Sequence, residues 1–275
     1  MTKPVVVGVD GSREAGYALV WAAREAVLRR TGLRIVNAAE AWEGAHRWSE
    51  EVLAQAERHA RAAEPELDVT IERRDGRAVT ALTEIAPAAG LIVVGRRGTG
   101  GFAGLLLGSV AHGVSQLAAG PVVAVPAPEL PLTNRVVVGV DGSDENEAAV
   151  GFAFEEASLR TAELRAVHAW TKPTSTGPGD LLPLVYDLDD AQEDESRLLA
   201  ESLAGWRERY PDVKVDAQTV RGHTVRVLDH RSSDAAMLVV GRRGATSRVA
   251  ALLGSVAHGV LHHARCPVAV VPTLE

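Results

Sequence analysis

The sequence is poor in several features, and each scarcity excludes a class of protein. It has one cysteine, Cys266, so it holds no internal disulfide and fits a reducing cytoplasm. It has no apolar run near the roughly 20 residues that a membrane helix needs, and it enters a strand pattern at once, without a secretory signal. Its formal net charge of −7 disfavours nucleic acid as a partner. We therefore expect a cytoplasmic protein that binds neither membrane nor nucleic acid.

What is present is the composition of a globular protein with an internal repeat. The 275 residues are 46% hydrophobic and 24% charged, which is enough apolar material for a core in each of two domains of about 150 residues. The segment VVVGVDGS occurs at residues 5–12 and 136–143, GRRG at 95–98 and 241–244, and LLGSVAHGV at 106–114 and 252–260. The order is the same in both copies, so the chain is a tandem pair of whole domains.

Each copy alternates valine-rich strands with helical patterns, which predicts the α/β fold class. Continuous apolar strands in this order indicate a parallel sheet covered by helices on both faces. We place the domains at residues 1–128 and 134–275, with a proline-containing linker at 127–133. The second copy is longer, and its extra residues fall in a proline- and glycine-rich stretch, 171–183, that predicts a loop. We interpret the acidic run that follows, at 187–195, as a solvated helix start.

The chemistry of the repeat lies in a glycine pattern that follows the fourth strand of each copy. Gly95 and Gly98 are followed, after nine residues, by Gly108 and Ser109, and the second copy has the same spacing. We expect the first glycine to end the strand, the second to take a positive φ, and serine to cap the next helix, whose free amides form an anion site. The pattern therefore predicts a loop that wraps phosphates.

Two other glycine motifs are excluded. The chain has three lysines, Lys3, Lys172 and Lys214, and none lies in these loops, so there is no phosphate-binding loop of the GxxxxGK type. The run that begins at Gly98 imitates a dinucleotide fingerprint, but no helix follows at once and no acidic residue lies about 20 residues on.

The G-x2-G-x9-G-S pattern, together with VVVGVDGS at each start, resembles the universal stress protein family in its tandem-domain form. The match covers nearly the whole chain, twice. The resemblance implies two Rossmann-like domains of the adenine nucleotide α-hydrolase-like type, each a five-stranded parallel sheet of order 3-2-1-4-5. It also implies ATP as the ligand, with or without Mg²⁺, at one site per domain. Because strand order reverses between strands one and four, both motifs would meet at the switch point where ligands bind.

By position, the resemblance implies a nucleotide site in each copy. In the first copy the residues are Gly8, Val9, Asp10, Ala38, Gly95, Arg96, Arg97, Gly98, Thr99, Gly100, Gly101, Gly108, Ser109 and Val110. In the second copy they are Gly139, Val140, Asp141, Ala169, Gly241, Arg242, Arg243, Gly244, Ala245, Thr246, Ser247, Gly254, Ser255 and Val256. The aspartates would accept from the sugar or the base, or cap the turn, and the arginines would either neutralise phosphate or be solvated.

The two sites differ, which leads us to expect unequal affinity. The glycines at 100, 101 and 104 of the first loop become Thr246, Ser247 and Ala250 in the second. Loss of glycine restricts the approach of the backbone to phosphate, whereas Arg248 adds a charge that can pair with it. We predict that the first site binds more tightly.

Other candidate residues receive structural interpretations. His258 and His262 have the four-residue spacing of a zinc pair, but HExxH and a third ligand are absent, so no metal is expected. Cys266 is interpreted as a buried thiol, and Trp42 and Trp170 as packing residues or a pocket wall.

We find no repeated catalytic acid or base beyond Asp10 and Asp141, so we expect a binding and regulatory protein of the stress response rather than an enzyme. Slow ATP hydrolysis, an ATP-using enzyme of the related adenine-binding group, and an interaction scaffold with vestigial sites stay open as alternatives. The resemblance further implies pairing through the fifth strands, as a pseudo-dimer within the chain or a homodimer.

Overall fold

The computed structural model describes residues 3–40, 43–99, 107–127, 133–171, 188–244 and 253–273. Within these ranges the chain forms two similar α/β halves. The predicted linker and the predicted loop of the second copy fall largely between the described ranges. The first half contains β1 Val5–Gly8, α1 Arg13–Leu28, β2 Leu33–Ala39, α2 Ala45–Ala63, β3 Val69–Asp75, α3 Ala78–Ile85, β4 Leu91–Gly95, α4 Ser109–Leu117 and β5 Val122–Val125. The second half contains β6 Arg135–Val140, α5 Asp144–Leu159, β7 Glu163–Trp170, α6 Leu188–Arg209, β8 Val215–Arg221, α7 Thr224–Arg231, β9 Met237–Gly241, α8 Ser255–His263 and β10 Val268–Val271.

Each half is a parallel sheet in the predicted order, 3-2-1-4-5. The strands run β3-β2-β1-β4-β5 and continue as β10-β9-β6-β7-β8 in a single ten-stranded sheet. The central strands β1, β4, β6 and β9 are continuous runs of valine, leucine, isoleucine and methionine because helices cover both of their faces. The predicted fold class is confirmed.

The two halves are joined edge to edge by their fifth strands. β5 and β10 are antiparallel, with Val123 opposite Ala269, whereas the other neighbouring strands of the sheet are parallel. This pairing covers two short valine-rich edges that would otherwise offer unpaired N–H and C=O groups. The pseudo-dimer within the chain is therefore present, and pairing between chains stays a prediction.

The helices bury one apolar layer on each face of the sheet, and both layers run through both halves. α1, α2, α5 and α6 cover one layer, and α3, α4, α7 and α8 cover the other. Val7 and Val138 belong to the first layer, and Val6 and Val137 to the second, as expected for alternating side chains of a strand.

A cluster of two buried glutamates and two partly buried arginines lies where the ends of α1 and α5 approach each other across the halves. Arg29 bonds Glu25 of its own helix at 2.6 Å and Glu156 of the other half, and Arg160 bonds both Glu156 and Glu25. Glu25 is 2% exposed and Glu156 is fully buried. We call these four residues the charge quartet. Each carboxylate is shared between two guanidinium groups, which offsets part of the cost of removing the charges from water.

Candidate functional site

The first half opens into a cleft of about 880 Å³ at the carboxyl ends of β1 and β4. This is the point at which the strand order reverses, because β1 has β2 on one side and β4 on the other. Loops that leave adjacent strands in opposite directions leave such a crevice between them. The cleft therefore lies where the sequence predicted it.

Most of the predicted residues of the first site line this cleft. Gly100 and Gly101 lie outside the described residues. Of the other twelve, all but Arg96 are in the lining: Gly8, Val9, Asp10, Ala38, Gly95, Arg97, Gly98, Thr99, Gly108, Ser109 and Val110.

The start of α3 provides one wall of the cleft, which the sequence did not predict. Gly76 precedes the helix, and Arg77, Val79 and Leu82 line the cleft beside it. Gly76 has a φ of +100°, a conformation that favours glycine, and its amide donates to the Ala39 carbonyl at 3.0 Å. A glycine directly after the third strand was the available signal, since that strand also ends at the switch-point edge.

Asp10 ties the end of β1 to the glycine loop. One carboxylate oxygen accepts from the Ser12 amide at 3.0 Å, and the other accepts from the Thr99 amide at 2.8 Å and its hydroxyl at 3.3 Å. A Cβ on Gly98 would lie 2.5 Å from that second oxygen, so no larger residue fits without moving the carboxylate. Asp10 is thus the turn cap that we expected, and it also holds the glycine loop in place.

The expected positive φ at the second glycine of the motif is wrong. Among the described glycines, positive φ occurs at Gly11, Gly44, Gly76 and Gly142, and not at Gly98 or Gly244. Glycine is needed at these two positions because an aspartate carboxylate lies against the α-carbon. In the second half, a Cβ on Gly244 would lie 2.4 Å from the Asp141 carboxylate.

The helix cap was also assigned one residue too late. The N-cap of α4 is Gly108, and Ser109 is the first helical residue, with no side-chain capping bond within the described residues. The first helical hydrogen bond runs from the His112 amide to the Gly108 carbonyl. The amides of Ser109, Val110 and Ala111 precede that bond and lie at the cleft wall, which is the arrangement of an anion site at a helix N-terminus.

The first arginine of each GRRG segment joins the halves rather than lining the cleft. Arg96 donates to the Ala264 carbonyl at 2.6 Å, and Arg242 donates to the Ala118 carbonyl at 2.8 Å. These carbonyls are at the C-terminal ends of α8 and α4, where a cation is favourable. The expectation that the side chains of Arg96 and Arg242 either meet phosphate or are simply solvated is therefore wrong.

Arg97 remains the cationic side chain of the motif at the first cleft. It lines the cleft and lies 3.8 Å from Glu14 in the first turn of α1. Its side chain is 42% exposed, so it is available to an anion that enters from solvent.

The second half repeats the backbone frame of the cleft with altered side chains. Gly139 faces Leu228 as Gly8 faces Leu82, and the Gly254 amide donates to the Arg242 carbonyl as the Gly108 amide donates to that of Arg96. The predicted residues Val140, Ala169, Gly241, Arg243, Ser255 and Val256 occupy the corresponding positions at strand ends and at the start of α8. Ala245, Thr246 and Ser247 lie outside the described residues.

One internal pair differs between the halves. One ring nitrogen of His168 in β7 lies 2.8 Å from the Glu195 carboxylate of α6, and the other lies 2.8 Å from the Val140 carbonyl. The first half has Asn37 and Ser49 at these positions, both fully buried. Asn37 donates to the Val9 carbonyl at 2.7 Å, so both halves use this strand position to hold the end of the first strand.

The remaining candidates have structural surroundings. Cys266 is buried, and burial raises the pKa of its thiol to about 12. Trp170 is buried and donates to Gln192, while Trp42 lies outside the described residues. In the described part of the chain, no group of three His, Cys, Asp or Glu residues has the geometry to hold a metal ion. No described helix is long and apolar enough to cross a membrane.

Fold and site together define the class: a tandem Rossmann-like α/β protein whose halves pair through their fifth strands, with a switch-point cleft in the first half. The family follows from comparison with known proteins. The model of the universal stress protein family matches residues 1–126 and 133–272, so the chain belongs to this family.

Individual relatives agree over the full length. The chain is 37% identical to universal stress protein Rv2005c of Mycobacterium tuberculosis, over 98% of this chain and 99% of the relative. It is also 37% identical to Rv2623 of the same species, over 97% and 95%. A universal stress protein from Archaeoglobus fulgidus has the same fold, with a TM-score of 0.72 at 20% identity, over 98% of this chain and 96% of that one.

Proposed function

We propose that the protein is an ATP-binding regulator of the stress response, with one nucleotide site in each of the domains 1–128 and 134–275. The observation that carries this proposal is the cleft at the switch point. Its volume of about 880 Å³ lies within the range of roughly 300–1,000 Å³ typical of small-molecule sites. Its lining combines an apolar wall with backbone amides and two arginines, Arg77 and Arg97, which suits a ligand with an apolar ring and an anionic tail.

The lining supports a division of roles. Val36, Leu82 and Val94 form an apolar patch between the strands and α3, where a flat base would be sheltered from water. Backbone at Ala38 and Val9 would supply polar contacts to the base and ribose. The start of α4 and the loop held by Asp10 would take the phosphates, which the positive end of the helix dipole favours.

Two glycines of the motif also support the proposal, because they allow the loop beside the cleft to pack closely. A Cβ at Gly95 would lie 3.0 Å from the Arg97 carbonyl, and a Cβ at Gly108 would lie 3.2 Å from the Arg96 carbonyl. These glycines let the loop after β4 lie tightly against α1 and α4, with no side chain projecting into the space left for the ligand. Mg²⁺, if bound, would be held chiefly by the phosphates, as is usual for this ion.

Regulation rather than catalysis is the activity that we propose. In the described part of the first cleft, the ionisable residues are Asp10, Glu40, Arg77 and Arg97. Both oxygens of Asp10 are occupied with the turn and the loop, so it is poorly placed to activate a nucleophile. Phosphoryl transfer needs a positioned nucleophile as well as charge stabilisation.

The test is mass spectrometry of the purified protein under native and denaturing conditions, after incubation with ATP. We expect up to two adenine nucleotides per chain and unchanged ATP over an hour at equimolar protein. A chain that binds no adenine nucleotide would overturn the proposal in favour of a scaffold with vestigial sites. Rapid conversion of ATP to products would instead identify an enzyme.

A further inference from the structure

α4, whose first turn lines the cleft, and α8, its counterpart in the second half, contact each other through histidine. His112 of α4 and His258 of α8 occupy equivalent positions, and their ring centroids are 5.5 Å apart in an edge-to-face contact. His262 lies one turn beyond His258, with ring centroids 4.5 Å apart, and His263 follows it. We call His112, His258, His262 and His263 the imidazole seam. It crosses the junction between the halves, and its rings are partly open to water.

The surroundings of two seam residues, His112 and His262, disfavour the protonated form of the ring. Burial and the neighbouring His258 lower the pKa of His112. Burial, the three other imidazoles of the seam and Arg96 lower the pKa of His262. Arg242 is also near, since it donates to carbonyls at the end of α4.

The helices packed behind the seam contact it through aliphatic side chains. α3 presents Val79 to Gly113, and α7 presents Val225 to Gly259. The ionisable residues carried by these two helices are Glu84 on α3 and Arg226, Asp229, His230 and Arg231 on α7. The groups with the largest electrostatic effect on His112 and His262 are therefore imidazoles and a guanidinium, all of which repel a proton.

The seam lies close to the part of the cleft that is suited to an anion. His112 is three residues after Ser109, which is about 4.5 Å along the helix axis. A phosphate group at the first turn of α4 would lie within a Debye length of roughly 10 Å from the His112 ring. Its negative charge would offset the positive end of the helix dipole and the neighbouring cations.

We propose that His112 links proton uptake to the binding of a phosphate-bearing ligand in the first cleft, an inference that rests on the function proposed above. When the cleft holds no phosphate, the ring stays neutral near pH 7. When phosphate binds, its charge stabilises the imidazolium, so a proton is taken up from solvent. By linkage, acidification tightens phosphate binding, and by reciprocity bound phosphate permits a charge at the contact with His258.

The experiment measures proton uptake when ADP binds. Calorimetry at pH 6.5 in two non-phosphate buffers of different ionisation enthalpy gives the number of protons bound per nucleotide. Since the phosphate of ADP itself titrates in this range, the informative quantity is the difference between the wild type and His112→Gln. We expect the wild type to take up more protons, and its affinity for ADP to rise about threefold more than that of the variant between pH 8 and pH 6.

Two controls separate the linkage from other effects. Adenosine, which has no phosphate, should bind with the same proton count in both proteins. His59→Gln, at an exposed position on α2, should behave as the wild type does. If His112→Gln does not fold, the pKa of His112 in the wild type is measured by NMR with and without ADP, and we expect a rise on binding.

The outcomes distinguish this inference from the function on which it rests. Equal proton uptake in the wild type and His112→Gln, or an unchanged pKa of His112 on binding ADP, would overturn the linkage and leave nucleotide binding intact. A failure of the wild type to bind ADP at any pH would overturn both.

Discussion

Gly98 and Gly244 are placed against the carboxylates of Asp10 and Asp141, so a single methyl group at either position disturbs the loop that we propose to hold phosphate. In the first half, the displaced carboxylate also loses the bond to the Thr99 amide, one of the stronger hydrogen bonds because its acceptor is charged. Asp10 and Gly98 therefore support both the local turn and the geometry of the cleft.

We predict that Gly98→Ala weakens nucleotide binding by about tenfold, which corresponds to the loss of roughly 1.4 kcal/mol. Gly244→Ala should remove less bound nucleotide, because we expect the glycine-poor second loop to bind more weakly. Calorimetric titration with ATP measures both. Gly16→Ala is the matched control, since nothing lies within 4 Å of a Cβ at this position of α1. Equal losses in the two variants would contradict unequal affinity.

At the scale of single elements, two adjacent arginines of the loop after β4 make different contacts. Arg97 faces the cleft, while Arg96 reaches the C-terminus of α8, the counterpart of α4 in the second half. The loop is thereby connected to the opposite half.

We predict that substitution of Arg96 lowers stability, whereas substitution of Arg97 lowers nucleotide affinity. Arg96→Ala should lower the free energy of unfolding by about 1–2 kcal/mol, because the Ala264 carbonyl loses a charged donor, with nucleotide affinity unchanged within about twofold. Arg97→Ala should lower affinity by about tenfold with unfolding unchanged within about 0.5 kcal/mol. Thermal unfolding and calorimetry separate the two. A loss of affinity in Arg96→Ala equal to that in Arg97→Ala would contradict this assignment.

For the whole molecule, the charge quartet makes the contact between halves sensitive to pH. Burial and the adjacent Glu25 raise the pKa of Glu156 to about 7, against an ordinary value near 4.5, despite the two arginines that oppose the shift. The folded protein therefore binds a proton that the unfolded chain releases. This contribution to stability is complete below about pH 4.5 and is lost as the pH rises through about 7.

We predict that Glu156→Gln removes this dependence. Between pH 6 and pH 8 the wild type should lose stability relative to the variant by an amount on the order of 1 kcal/mol. Chemical unfolding at both pH values measures the difference. Glu155→Gln, on the same helix but half exposed, should leave the slope unchanged. Parallel pH profiles for the wild type and Glu156→Gln would show that Glu156 does not titrate in this range.

The sequence was informative where a repeated pattern marks the end of a strand. The strand ends and the glycine spacing located the cleft, because β1 and β4 are neighbours in the sheet and their carboxyl ends lie side by side. The same approach failed for Arg96, whose acceptor is 168 residues away and whose long side chain has a choice of directions. It also missed the charge quartet, since Glu25 and Glu156 occupy helical positions that read as ordinary polar residues until the partner helix is in place.

The antiparallel junction of β5 and β10 has an evolutionary consequence. In an assembly of two identical chains, every substitution at the shared boundary appears twice, so an asymmetric arrangement has no way to arise. Fusion of the two halves into a single polypeptide lifts that restriction. His262 stands where the first copy has Gln116, and Glu195 where it has Ser49. Each half therefore carries side chains that the other half lacks.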